Sequence, residues 1–156
     1  MSNDFLRHTL ATLAYRASKP LRDAPLSFAD YRAKPDSRTP GEIVAHLGDL
    51  MNWGRHMAIG EYRWANWKAG DWSVDVARFF DELKTYDDVL ASTTLAPELM
   101  QRLFQGSIAD SLTHVGQLTM LRRMSGAPIR GENYSKADIS IAHLGIAQPA
   151  PKAEFD

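Results

Sequence analysis

The sequence predicts an all-α fold, a four-helix bundle with crossover topology followed by an irregular C-terminal tail. Three observations carry that expectation. Apolar residues recur every three or four positions in four separate stretches. Helix-start and helix-stop residues frame those stretches. No stretch alternates apolar and polar residues as a half-buried strand does, and two connections are long enough to cross the end of a bundle.

The first helix is expected from about Asp4 to Arg22, with Leu6, Leu10, Leu13 and Ala17 on its buried stripe. Ser2 or Asn3 supplies its cap, and Pro20 and Pro25 mark its end. The second helix has the clearest start in the chain. Thr39 is the N-cap, Pro40 the first helical residue, and Glu42 completes a capping box. Its stripe is Ile43, Leu47, Leu50, Gly54 and Met57. A connection through Tyr62, Trp64, Trp67 and Trp72 follows, rich enough in aromatic rings to cover the end of a bundle. Ser73 is expected to cap the third helix, which buries Val76, Phe79, Phe80, Leu83, Tyr86 and Leu90. The fourth runs from near Pro97 to the C-terminal glycine Gly126, with Arg122 and Arg123 in its last turn and Pro128 preventing continuation. The remainder is too irregular for a fifth bundle helix. One short helix or extended piece is expected near Ile139.

A chain of 156 residues suits one core, so residues 1–156 are expected to form a single domain, with about 147–156 as a loose tail. The formal charge of -1 gives no electrostatic ground for nucleic acid or an anionic membrane as partner. There is no cysteine, so the chain offers neither disulfides nor thiolate ligands or nucleophiles. MSNDFLRHTLATL lacks a basic segment followed by a long apolar run, and no apolar run matches a membrane span. The expected location is the cytoplasm.

Asp110 and His114 lie four apart in the fourth helix, which puts a carboxylate and an imidazole on one face. An inward carboxylate is costly to bury unless something pairs with it, and no lysine or arginine lies one turn away. Two readings stand. A protonated His114 pairs with Asp110, or both ligate a cation. His46, on the apolar face of the second helix, favours the cation, because two imidazoles and a carboxylate form the minimal set for a mononuclear divalent site with open positions. Zinc, nickel, iron(II) and manganese all suit such ligands. Gln117, one turn after His114, and Asp49, three residues after His46, are candidates to orient those imidazoles. A solvated surface aspartate is the plainer reading of Asp49. His8, His56 and His143 show no partner pattern. Arg122, Arg123 and Arg130 are candidates for an anionic substrate group, with salt bridges at a helix end as the plainer role. HExxH, paired Glu-x-x-His, Gly-rich phosphate loops and GxSxG are absent.

At these same residues the chain resembles the DinB/YfiT-like superfamily of metalloenzymes. The similar segments are LRHTLATLAYRA, TPGEIVAHLGDLMNW, LFQGSIADSLTHVGQLTMLRRMSGAPI and ENYSKADI, which together reach from about Phe5 to Gly145. The resemblance implies up-down-down-up topology, a homodimer, and a metal held by one histidine of the second helix and two residues of the fourth. Many members carry histidine at both fourth-helix positions. Here the earlier one is Asp110, which makes the set His46, Asp110 and His114 more anionic. The better understood branches are S-transferases that use low-molecular-weight thiols such as bacillithiol or mycothiol, and a mycothiol-linked isomerase. By that likeness a divalent ion activates a small thiol for transfer to an electrophilic small molecule, or water for hydrolysis. The alternative is a non-catalytic dimeric bundle that binds metal or a small ligand in a structural or stress-response role.

Overall fold

Four long helical stretches make up most of the computed structural model, which describes residues 3–156. Helix α1 spans Asp4–Leu21, α2 Pro40–Ala58 and α3 Trp72–Ser92. The fourth stretch is composite: α4, Pro97–Leu103, runs into a π-helical turn, Phe104–Ile108, and then into α5, Ala109–Met124. Helix α2 packs on α3 and α5, and α1 packs on the same two.

The apolar stripes account for this packing. Leu10, Leu13 and Ala17 of α1, Val44 and Leu47 of α2, Phe79, Leu83 and Tyr86 of α3, and Leu103, Ile108 and Leu118 of the fourth stretch are all fully buried in one cluster. Each such Leu, Ile, Val or Phe side chain contributes roughly 1.5–3 kcal/mol of transfer free energy. Every stripe residue expected for α1, α2 and α3 is buried.

The helix ends are built by local chemistry. Thr39 Oγ1 accepts from the Glu42 amide at 3.1 Å and Glu42 Oε2 accepts from the Thr39 amide at 2.7 Å, which completes the capping box. Helix α3 starts earlier than expected. Asp71, not Ser73, is its cap, accepting from the Val74 amide at 3.0 Å. Asn3 occupies the N-cap position of α1 but does not cap it. Its side-chain amide donates instead to the carbonyls of Leu90 and Thr93, at 2.8 and 2.7 Å, and closes the C-terminal end of α3. Ser2, the other expected cap, lies outside the described residues. Pro20 sits inside the last turn of α1 rather than beyond it. Gly126, at φ +83°, takes the left-handed conformation just past α5 that stops the helix.

The C-terminal residues are not loose. Glu154–Phe155 forms a short strand, β2, antiparallel to β1 at Gly131–Glu132, with Glu132 opposite Glu154. Lys19 of α1 holds both carboxylates, at 2.7 Å from Glu132 and 3.0 Å from Glu154, and Tyr15 donates to Glu132 at 2.7 Å. A buried charge needs such partners, and Lys19 supplies the link that draws the tail back onto α1. Near Ile139 there is neither helix nor strand; the short 3-10 turn lies at Tyr134–Lys136. No helix among the described residues is long and apolar enough to cross a membrane.

Candidate metal centre

The composite helix sets where Asp110 and His114 stand. A π turn carries one residue more than an α turn, so it rotates everything after it relative to α4. Two contacts hold this turn on α2. The backbone of Gly106 lies against the Trp53 ring, and Ser107 seats on Gly54, so close that a Cβ on Gly54 would stand 2.5 Å from Ser107 Oγ and 2.6 Å from the Tyr86 ring. The Tyr86 hydroxyl meets Ser107 Oγ at 3.3 Å, and Ser111 Oγ donates to the Ser107 carbonyl at 2.7 Å. These contacts fix α5 in rotation and height beside α2.

The result is a three-residue cluster between the two helices. One ligating atom from each of His46, Asp110 and His114 lies within 4.8 Å of the other two. His46 Nε2 is 3.5 Å from Asp110 Oδ2, and His114 Nε2 is 3.4 Å from Asp110 Oδ1. The two imidazole rings stand nearly perpendicular, with centroids 4.7 Å apart. The His46 side chain is 22% exposed, that of His114 13% and that of Asp110 46%, so Asp110 is not the buried inward carboxylate expected and the cost of burial does not call for a cation there. Among the described residues no other group of three such side chains gathers this closely.

Protonation favours ligation. Burial, the nearby His114 and the Arg38 guanidinium push the His46 pKa below its ordinary value, against a smaller opposing pull from Asp110. A neutral imidazole is the coordinating form. His114 Nδ1 lies 2.9 Å from Gln117 Oε1. An amide oxygen accepts only, so Nδ1 carries a proton and Nε2 is the nitrogen turned to the cluster. The two Nε2-to-carboxylate separations exceed the roughly 2.7–2.9 Å of a charge-assisted hydrogen bond. They run to opposite oxygens of Asp110, Oδ2 toward His46 and Oδ1 toward His114, which leaves the carboxylate between the two imidazoles. The donor set, two imidazoles and one carboxylate, therefore fits a divalent ion.

Gln117 stands where its spacing put it. Asp49 does not orient His46. It is 3% exposed and bonded to Arg78 Nη2 at 2.6 Å and to the Trp67 amide at 3.0 Å. The surface reading of Asp49 fails with it, because Arg78 crosses over Gly48 to reach the carboxylate. His8 and His143 are exposed, whereas His56 is buried with Nδ1 2.7 Å from the Asn52 carbonyl. Arg122 is buried, donating to the carbonyls of Ala127 and Pro20, and Arg130 pairs with Glu154. Neither faces the cluster.

Two further residues stand beside the site. Trp64 packs on His46, ring centroids 5.5 Å apart, and on Trp53 at 6.3 Å. The connection that bears it is anchored by Trp67 Nε1 and the Gly70 amide, both donating to Asp75 at 2.8 Å. Arg38 lines the same space as His46. Arg38 precedes the Thr39 cap of α2, so helical spacing does not place it beside His46.

No family model, curated protein or solved structure matches this chain.

Proposed function

We propose that this chain is a divalent-metal-dependent enzyme whose ion is held by His46, Asp110 and His114. The observation that supports the reading best is the convergence of one ligating atom from each of two imidazoles and a carboxylate within 4.8 Å of one another. The wider likeness to the DinB/YfiT-like superfamily belongs to the same proposal. So do up-down-down-up bundle topology, a homodimeric state and a cytoplasmic location.

A bound divalent ion supplies Lewis acidity, which lowers the pKa of a small thiol or of water so that either attacks at neutral pH. The chain's own residues prepare for it. His46 stays neutral under burial and the positive charge of Arg38. Gln117 holds the His114 ring with Nε2 inward. Asp110 contributes the one negative charge, and Trp64 keeps water from one side of His46. Three protein ligands leave positions open for a reactant. The chain has no cysteine, so the sulfur of an S-transfer comes from an exogenous thiol.

The test is catalysis by the zinc-loaded protein. A low-molecular-weight thiol and a panel of electrophiles are supplied in one arm, activated esters and water in the other. A rate above buffer in either arm, abolished by His114→Ala with little change in thermal stability, supports the enzyme. A protein that binds zinc, accelerates neither reaction and loses much of its stability with His114→Ala is a metal-binding bundle instead.

A further inference from the structure

His46 stands at the junction of two cavities of opposite character. One, of about 680 Å³, is lined by polar and charged side chains that include Arg38, Lys68 and Asp36. The other, of about 600 Å³, is walled by Ile43, Met120 and Leu121 and floored by His114 and Gln117. Both share Ser37, Arg38 and His46, so one ligand can occupy the two together. Each volume lies in the roughly 300–1,000 Å³ range of small-molecule sites.

The charges of the polar cavity do not cancel. Glu42 is occupied by the Thr39 amide and faces Arg32 at 3.4 Å. Asp49 is taken by Arg78 at 2.6 Å. Among the described residues, Arg38, Lys68 and Asp36 make no hydrogen bond, ion pair or ring contact. Two free cations against one free carboxylate leave a single positive charge, which one monoanionic group would balance. A guanidinium offers a planar fork that fits a carboxylate at two points. On the other side of His46, Met120 is 55% exposed and stands beside the buried Ile43 and Leu121, an apolar surface that an alkyl or aryl arm would cover.

We propose that the site takes an amphiphilic monocarboxylate, with its carboxylate on Arg38 and Lys68 and its apolar arm on Ile43, Met120 and Leu121. The reactive part of such a molecule passes His46. This assignment rests on the reading of His46, Asp110 and His114 as the reaction centre, and it names the class of substrate that centre receives.

Octanoate is the probe. It is titrated calorimetrically into the full chain, with and without one equivalent of zinc chloride. Octanol, acetate and octyl phosphate serve as controls, and zinc is titrated separately. Octanoate is expected to bind in both states at least tenfold more tightly than octanol, acetate or octyl phosphate. Arg38→Met should weaken it at least tenfold; Lys68→Met should weaken it by a smaller factor and change zinc affinity less than twofold. Arg38 is exposed, so its variant keeps the fold, which circular dichroism checks. Octanoate affinity equal in wild type and Arg38→Met overturns the proposal, as does octanol binding as tightly as octanoate. Tighter binding of octyl phosphate overturns the carboxylate assignment. A chain that takes zinc but shows no Arg38-dependent octanoate binding loses this proposal and keeps the metal reading. A chain that takes octanoate through Arg38 but no zinc keeps the pocket and loses the metal.

Discussion

Gly54 of α2 and Ser107 of the π turn are in direct contact, with no room between them for a methyl group: a Cβ on Gly54 would lie 2.5 Å from Ser107 Oγ. Through that contact α2, which carries His46, sets the height and rotation of α5, which carries Asp110 and His114.

Gly54→Ala is therefore expected to act twice. Overpacking of this kind costs about 1–3 kcal/mol, seen as a lower midpoint in denaturant. Displacement of the π turn also moves Asp110 and His114 away from His46, so zinc affinity should fall as well. Gly116→Ala, on the open side of α5 with nothing within 4 Å, is the control: it should leave zinc affinity unchanged and raise the midpoint slightly, by the about 0.5–1 kcal/mol of helix propensity. Zinc affinity unchanged in Gly54→Ala would show that the contact does not position the site.

Lys19→Met probes the clasp between α1 and the C-terminal strand. The Glu132 side chain is fully buried and Lys19 is 6% exposed. Removing one partner leaves a buried charge, at a cost of about 3–5 kcal/mol, the lower end applying because Tyr15 still donates to Glu132. Adding Glu132→Leu should restore part of the loss: Glu154 keeps Arg130 and no unpaired charge remains, but the buried Tyr15 hydroxyl loses its acceptor. Chemical denaturation of the two variants checks both statements.

The same cluster makes the fold sensitive to alkali. Burial alone would lower the Lys19 pKa, but hydrogen bonds to Glu132 and Glu154 outweigh it and the net shift is upward. Burial, and then the bond to Glu132, push the Tyr15 hydroxyl up. Both folded-state values lie above the unfolded ones, so their contribution is complete below about pH 10, where the free groups begin to titrate, and is lost as pH rises through the folded values. Melting temperature should hold between pH 8 and 9.5 and fall above it. Tyr15→Phe, which has no hydroxyl to titrate, should fall less steeply.

Gln117→Leu removes the acceptor that fixes the His114 ring. Loss of such an orienting partner weakens metal affinity by about 10–100-fold, and the lower end is expected because Gln117 is exposed. Asp49→Asn, whose target is Arg78 and not His46, should leave zinc affinity within about twofold while lowering stability. Zinc titrations of the two variants separate these effects.

Much of this was readable from residue order because it depends on short-range chemistry. Thr39, Pro40 and Glu42 build a cap from three neighbouring side chains, and the stripes of α1 to α3 follow from helical period. Asp110, His114 and Gln117 share a face because four- and three-residue steps require it. What stayed hidden depends on partners distant in sequence. The π turn exists where Trp53 and Gly54 meet residues some fifty positions later, and nothing in FQGSI marks it. Asp49 is buried by Arg78, and Glu154 is drawn in by Lys19, each through a tertiary ion pair that no local pattern announces. Two-residue strands are likewise too short for any period to register.

The most direct measurement is zinc content. Protein purified without an affinity tag, dialysed against micromolar zinc and then against buffer, should retain one zinc per chain and release it to chelator. His46→Ala and His114→Ala should retain none under the same dialysis while staying helical. Wild-type protein that retains no metal, or variants that retain as much as wild type, would contradict the assignment of His46, Asp110 and His114 as ligands.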